Sequence, residues 1–162
     1  MKKLKKITLL LAILAFASMF CGCGSKVSLE GSEFMVPGGS KIVLNEDGTY
    51  FWYENPAVTD DNYFAGKYMY FTGAEARKYL INDLPSYKLT DATIDGFFDK
   101  TDKEKYYTTD KEMVIVMSNT ESMINGQKLN VTPAHYFGYF DGQYYDAVSL
   151  ENQSRATFIK TT

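Results

Sequence analysis

The hydrophobic pattern divides the chain into an apolar start and a long series of short, aromatic-rich segments. Ile7 to Phe20 is a nearly unbroken apolar run that follows a lysine-rich head. Further along, aromatic and β-branched residues cluster in short segments bounded by Gly, Asn and Asp. Such segments are typical of β-strands rather than of helices. The pattern therefore predicts an apolar leader followed by a mainly β domain.

These segments predict seven strands and three hairpin turns. Asp47-Gly48, Asn125-Gly126 and Asp141-Gly142 supply residues that tolerate a positive φ, which is the strongest short-range indication of a hairpin. The predicted strands are Lys41–Leu44, Thr49–Glu54, Gly66–Thr72, Glu112–Ser118, His135–Phe140, Gln143–Leu150 and Arg155–Lys160.

Two short helices are predicted to interrupt the strands. Thr72-Gly73-Ala74-Glu75 has the pattern of a capping box, and Pro85 forbids continuation of the helix that would follow it. A second helix is predicted to begin at Thr90. The apolar positions behind these predictions are Ala76, Leu80 and Leu84 in the first helix, and Ile94, Phe97 and Phe98 in the second. The predicted fold is a small antiparallel β-barrel or a β-sandwich, with two short helices inserted.

The start of the chain has the pattern of an exported protein. Residues 1–6 carry four lysines, and the apolar run that follows is too short to cross a bilayer as a helix. Phe20-Cys21-Gly22-Cys23-Gly24-Ser25 resembles the lipobox of bacterial lipoproteins, in which a small residue precedes the modified cysteine. Gly22 fits that position, whereas bulky Phe20 precedes Cys21.

The resemblance implies cleavage before Cys23, a diacylglyceryl group on its sulfur, and a lipid anchor that holds the protein on the outer face of a membrane. The alternative is ordinary secretion, with Cys21 and Cys23 paired or free. In the lipoprotein interpretation the mature chain has no free thiol, because Cys21 leaves with the signal peptide.

Three segments are expected: a signal peptide over residues 1–22, a lipidated cysteine with a short tether over 23–28, and one β-rich domain over 29–162. The signal peptide contains four of the 17 basic residues and none of the 20 acidic ones. The mature chain is therefore acidic, with 13 basic against 20 acidic residues, and nucleic acid is not an expected partner.

The first part of the domain contains Leu29-Glu30-Gly31-Ser32-Glu33-Phe34, then 42–53 around Asp47-Gly48, then Gly66-Lys67-Tyr68. Together these segments resemble the opening of lipocalin-like lipoproteins of Gram-positive bacteria. The resemblance implies a barrel with a ligand-binding cup. A β-sandwich with a helical insertion fits the same strands.

The hairpin around Asp141-Gly142 carries aromatic residues on both faces. If that pair is a two-residue turn, residues whose numbers sum to 283 face each other. The second face is covered by the inserted helices, lines a cavity or meets a partner. The first face holds Tyr136, Gly138, Phe140, Tyr145 and Ala147, and the second holds His135, Phe137, Tyr139, Tyr144, Asp146 and Val148.

Catalytic, cofactor and metal residues are not predicted. His135 is the single histidine and lies diagonal to Asp146 in the predicted register, but a general base also needs a nucleophile, which the sequence does not indicate. One histidine without a mature thiol rules out the common zinc spacings. The segments 45–48 and 99–102 lack the ligand series of a calcium loop, and Asp60-Asp61-Asn62 is more typical of a solvated loop than of a calcium site.

The sequence predicts a non-enzymatic binding module at the cell surface. Aromatic side chains suit a small apolar ligand, a glycan or a partner protein of the envelope, since they offer a large area with few rotatable bonds. The candidate binding residues are Trp52, Tyr68, Phe137, Tyr139 and Tyr144. The alternatives are an accessory subunit docked on another envelope protein and a hydrolase that uses carboxylates or His135 with Asp146.

Overall fold

The computed structural model describes residues 27–55, 62–98, 107–129 and 131–162. The predicted signal peptide, the predicted lipidation site at Cys23 and the acidic segments around residues 60 and 100 fall outside these ranges, apart from Asn62. The described strands are β1 (Glu33–Val36), β2 (Ser40–Leu44), β3 (Thr49–Tyr53), β4 (Tyr63–Thr72), β5 (Glu112–Ile124), β6 (Gln127–Leu129), β7 (Ala134–Phe140), β8 (Tyr144–Ser149) and β9 (Arg155–Lys160).

Eight of these strands close into an antiparallel barrel. The neighbours follow the order β1, β2, β3, β4, β5, β7, β8 and β9, and β9 pairs with β1 to complete the circle. Every pairing is antiparallel, and consecutive strands lie side by side. The fold is therefore mainly β and a closed barrel, and the alternative of a β-sandwich was wrong.

The short strand β6 lies beside β5, on the side opposite β4. It pairs with Ser122–Ile124, beyond the part of β5 that pairs with β7. Asn125 and Gly126 between β5 and β6 have φ of 51° and 75°. The predicted Asn-Gly hairpin is confirmed, because positive φ at both positions is what its turn requires.

Five of the seven predicted strands match the structure to within one residue at each end. The other two are longer than predicted: β4 begins at Tyr63 and β5 continues to Ile124. Two strands were missed. β1 has only four residues before the turn at Pro37, and all three residues of β6 are exposed, so neither presents a clear apolar alternation.

The predicted register of the β7–β8 hairpin was wrong by two residues. Gly138 faces Ala147 and Tyr139 faces Asp146, so the paired numbers sum to 285. The carboxylate of Asp141 accepts hydrogen bonds from the backbone N–H groups of Gln143 (2.9 Å) and Tyr144 (2.7 Å), which moves the turn one residue onward. A shift of two leaves every side chain on its predicted face.

Both helices are present between β4 and β5, as α1 (Ala74–Lys78) and α2 (Asp91–Asp95). The capping box predicted at Thr72 was wrong, because Thr72 is still paired with Met113 in the sheet and Gly73 takes the N-cap position without a side-chain hydrogen bond. The predicted start at Thr90 is confirmed, since its hydroxyl accepts a hydrogen bond from the Thr93 N–H in a capping box.

The residues between and around the helices form a second apolar core on the outer wall of the barrel. A π-helical turn (Tyr79–Asp83) and a 3-10 turn (Pro85–Tyr87) connect α1 to α2. The helices cover buried side chains of β5, β7 and β8, namely Val114, Phe137, Tyr139 and Val148. The interpretation that helices bury the second aromatic face of the hairpin is confirmed for Phe137, Tyr139 and Val148, whereas Tyr144 on that face is exposed.

Candidate functional site at the open end of the barrel

One end of the barrel is closed. At this end, which we call the closed end, β2 turns into β3, β7 turns into β8, and the helical segment joins β4 to β5. The inward-facing side chains of the strands are buried here: Phe34, Leu44, Met113, Phe140 and Tyr145. The barrel core is sealed from solvent at this end.

The segment that precedes β1 contributes to this seal. Leu29 is fully buried in the barrel core. The Tyr70 hydroxyl donates to the Val27 carbonyl oxygen (3.2 Å), and the Leu44 N–H donates to the Ser32 carbonyl oxygen (2.8 Å). The chain is thus fixed to the closed end from Val27 onward.

The opposite end, which we call the open end, has half-buried inward-facing side chains. Here β1 turns into β2, β3 connects to β4, β5 turns into β6, and β8 turns into β9. Val36, Trp52, Phe64, Tyr136 and Ala156 pack against the core but keep partial exposure. Apolar rings that point into a barrel and still reach solvent are candidates for contact with a ligand.

Three of the rings at or near this end touch one another. The Trp52 ring centroid lies 5.8 Å from that of Tyr136 and 6.0 Å from that of Phe158, and Tyr136 and Phe158 are 5.3 Å apart. Trp52 comes from β3, Tyr136 from β7 and Phe158 from β9, so the cluster spans the interior between distant strands. We call Trp52, Tyr136 and Phe158 the ring cluster.

The interior beyond the ring cluster is almost filled. A cavity of about 10 Å³ lies there. Ligand pockets usually have volumes of about 300–1,000 Å³. The eight side chains that line the cavity are Phe34, Ile42, Leu44, Ile115, Met117, Tyr136, Tyr145 and Phe158. The described residues form no cup that would enclose a small-molecule ligand.

Two hydroxyl groups of the inner wall have no hydrogen-bond partner among the described residues. They are Tyr50 Oη and Ser122 Oγ, and both are fully buried. Tyr50 precedes Trp52 by two positions on the inner face of β3, and Ser122 pairs with Phe64, which in turn pairs with Trp52. The unpaired hydroxyls therefore lie in the same sector of the wall as Trp52.

The phenols of this sector stay protonated at neutral pH. Burial, with a smaller contribution from Tyr136, raises the pKa of Tyr50 well above its usual value. Burial and the nearby charge of Glu151 raise the pKa of Tyr136 to about 12. Both groups remain neutral hydrogen-bond donors.

The structure separates the five predicted binding residues. Trp52 lies at the open end, whereas the Tyr68 hydroxyl donates to the Asn45 carbonyl oxygen (3.0 Å) near the closed end. Phe137 and Tyr139 are buried under the helices, and Tyr144 is exposed on the outer wall. Trp52 alone belongs to the candidate site.

Comparison with known proteins identifies no relative. No protein-family model matches the chain, and neither a curated protein nor a solved structure matches it. Within the described ranges, no helix is long and apolar enough to cross a membrane. The same residues hold no group of three or more His, Cys, Asp and Glu side chains that could bind a metal ion. The site is therefore characterised by its geometry.

Sequence reasoning did not assign Tyr136, Phe158 or Phe64 to a site. Alternation placed Tyr136 on the core face of its hairpin, which is correct. Its contact with Trp52 depends on the closure of the barrel, because β3 and β7 are not neighbours in the sheet. Register within single hairpins carries no information on that contact.

His135 does not interact with Asp146. Its Nδ1 lies 2.7 Å from Oε1 of Glu151, and its backbone N–H donates to the same carboxylate. Asp146 instead accepts a hydrogen bond from the Thr157 hydroxyl (2.6 Å) and one from the Tyr107 hydroxyl (3.2 Å). The predicted contact between His135 and Asp146 depended on the incorrect register of the β7–β8 hairpin.

The Glu151 carboxylate links the helical segment to the barrel. It accepts hydrogen bonds from the hydroxyls of Tyr87 (2.9 Å) and Ser149 (3.0 Å) as well as from His135. Burial alone would raise the pKa of Glu151, but the hydrogen bonds from His135 and Tyr87 outweigh burial and lower it. The cluster resembles a structural junction more than a catalytic one, because its carboxylate is occupied by internal donors.

A second aromatic surface lies on the outside of the barrel. Phe51 and Tyr53 stack at 5.7 Å with planes 6° apart, and Tyr63 meets both rings edge-on. All three side chains are half-buried. The Tyr63 hydroxyl donates to Glu121 (2.6 Å). We call Phe51, Tyr53 and Tyr63 the outer aromatic face.

Proposed function

We propose that this protein is a lipid-anchored binding module outside the cytoplasm, and that its ligand site is the open end of the barrel. The single observation that carries the site is the partly exposed Trp52, which forms the ring cluster with Tyr136 and Phe158 at the open end of the barrel. The anchor is lipid on Cys23, after removal of residues 1–22.

The ligand is a compact molecule, or part of a larger one, with an apolar face and hydrogen-bonding groups, such as a sugar ring. Aromatic side chains contact such groups with little loss of side-chain entropy. The filled interior favours contact at the mouth over enclosure of a long apolar chain.

Binding is favoured over hydrolysis by the contacts of the one histidine. His135 interacts with Glu151, and both oxygens of that carboxylate accept hydrogen bonds from within the fold. A general base must lie within hydrogen-bond distance of the proton that it removes from the substrate. The Ser149 hydroxyl at this junction donates to Glu151 (3.0 Å), which occupies its proton within the described fold.

The second candidate function is an accessory subunit docked on another envelope protein through the outer aromatic face. The observation that favours it is the stack of Phe51 on Tyr53, which stays half-exposed on a wall that the helices do not cover. Aromatic residues are enriched at protein interfaces.

Trp52 and Phe51 discriminate between the two functions, because adjacent residues of a strand point to opposite faces. We expect Trp52→Ala to abolish binding of cell-wall oligosaccharides to the soluble domain in calorimetric titrations, while Phe51→Ala leaves binding unchanged. Far-UV circular dichroism checks that both variants fold. Binding that survives Trp52→Ala would overturn the open-end site. Loss of a co-purifying envelope protein in Phe51→Ala alone would favour the docked subunit.

A further inference from the structure

We propose that the closed end of the barrel faces the lipid bilayer and that the open end points away from it. This inference rests on the lipid anchor at Cys23 proposed above. It adds an orientation, and with it the side from which the ligand must arrive.

The chain becomes fixed to the domain at the closed end of the barrel. Val27 and Leu29 pack against the barrel core, and Leu29 is fully buried. The Tyr70 hydroxyl contacts both the Val27 carbonyl oxygen and the Glu30 carboxylate, while the Ser28 hydroxyl donates to the same carboxylate (2.6 Å). The tether therefore ends on the closed end, at Val27.

The tether between the lipidated cysteine and the domain is short. Val27 follows Cys23 by four positions. Four residues span at most about 14 Å when fully extended. The ten residues of β4 run from the open end to the closed end. At about 3.3 Å per residue and a tilt of roughly 40°, the ends are about 25 Å apart. The open end cannot be turned towards the bilayer unless Leu29 leaves the core.

A barrel that lies on its side against the bilayer is disfavoured by charge. Such a position would require attraction between the outer wall and the lipid surface. The mature chain has 20 acidic and 13 basic residues, and like charge does not draw a domain onto an anionic bilayer. The short tether and the charge together favour an upright barrel.

The orientation determines whether the ring cluster faces the bilayer or the surrounding medium. Trp52 and Tyr136 lie at the end that faces the surrounding medium, so their ligand is presented from outside. A lipid taken directly from the bilayer would have to enter at the opposite end, which Leu29 and Phe140 close. The open end is therefore suited to a soluble or wall-linked ligand.

The test uses one engineered cysteine at each end of the lipidated protein. Glu46 lies in the turn between β2 and β3 at the closed end, Gln127 begins β6 at the open end, and both side chains are exposed. Glu46→Cys and Gln127→Cys would each carry a donor fluorophore. Both proteins are placed in phosphatidylethanolamine and phosphatidylglycerol vesicles that contain a lipid with an acceptor dye of short transfer range.

We expect energy transfer to be roughly twofold or more higher from position 46 than from position 127, because the ends differ by about 25 Å in distance from the lipid. Equal transfer, or higher transfer from position 127, would overturn the orientation while leaving the anchor intact. Flotation of the vesicles measures the anchor separately. If the unlabelled protein with native Cys23 does not float, or if Cys23→Ser floats equally well, the anchor fails and the orientation with it.

Discussion

The two ends of the barrel carry the same kinds of inward-facing side chains and differ in what covers them. At the closed end, Phe34 and Phe140 are buried beneath the segment that contains Leu29. At the open end, Trp52 and Tyr136 face the same interior and stay half-exposed. An aromatic residue on the inner wall is thus core at one end and a candidate contact at the other. The role of such a residue depends on whether another segment covers it, and the residue type alone does not show this.

The largest expected effect comes from removing the cover of the closed end. Leu29→Ala should lower the free energy of unfolding by about 3 to 5 kcal/mol, because it deletes a fully buried side chain and leaves a cavity. Urea unfolding of the soluble domain measures the change. Leu129→Ala is the matched control, since Leu129 is 46% exposed and its truncation should have little effect. Equal effects of the two variants would show that Leu29 does not seal the core.

The next effect concerns the ion pair that holds α1 to the closed end. Arg77 Nε and Nη2 donate to the Glu112 carboxylate, which is 1% exposed, and Arg77 also contacts Asp95 (2.6 Å). These hydrogen bonds, the one to Glu112 above all, raise the pKa of Arg77. Arg77→Met should destabilise the fold by about 3 kcal/mol, because it leaves a buried carboxylate without its partner.

Thermal unfolding of Arg77→Met should be compared with that of Lys78→Met. Lys78 is the next residue of α1, is 65% exposed and pairs only weakly with Glu75 (3.5 Å). An exposed pair of this kind contributes little. If the two variants unfold at the same temperature, the Arg77–Glu112 pair does not fix α1 to the barrel.

A smaller effect of opposite sign is expected inside the barrel. Tyr50→Phe should raise the free energy of unfolding by about 1 kcal/mol, because it removes a buried hydroxyl that has no partner among the described residues. Tyr145→Phe is the matched variant and should destabilise, since that hydroxyl donates to the carbonyl oxygens of Tyr136 (2.6 Å) and Met113 (3.0 Å). Destabilisation by both substitutions would mean that the Tyr50 hydroxyl is satisfied in solution.

The smallest effect is a change in acid stability. The lowered pKa of Glu151 means that its contribution to stability is present above its usual value of about 4.5 and is lost as the pH falls through the lower folded value. The unfolding temperature of the wild-type protein should therefore fall more steeply below about pH 5 than that of Glu151→Gln. Glu46→Gln, at an exposed carboxyl group, serves as the control and should follow the wild type. Parallel curves for all three proteins would contradict the account of Glu151.

Alternation and turn residues were sufficient to predict most strands and both helices. The Thr90 cap and the two faces of the β7–β8 hairpin were predicted correctly, because each depends on residues close together in the chain. The Thr72 cap failed because pairing with Met113, distant in the chain, keeps Thr72 in the sheet. The turn at Asp141 failed because its side chain accepts two backbone hydrogen bonds, and a dipeptide pattern does not reveal that geometry.

The candidate site was only partly predictable for the same reason. Trp52 was selected for its residue type and lies at the open end. Tyr136 and Phe158 reach it only because β9 pairs with β1 and closes the barrel. Contacts of this kind are set by closure and curvature, which no single segment encodes.

The most direct test of the open-end site is the fluorescence of Trp52, the single tryptophan of the chain. The soluble domain would be titrated with cell-wall oligosaccharides, fatty acids and compact apolar probes, and acrylamide quenching would be measured at each step. The open-end site predicts a saturable change in emission at micromolar ligand, with Trp52 becoming protected from acrylamide. Unchanged emission and unchanged quenching across the whole panel would contradict the assignment of the open end as a ligand site.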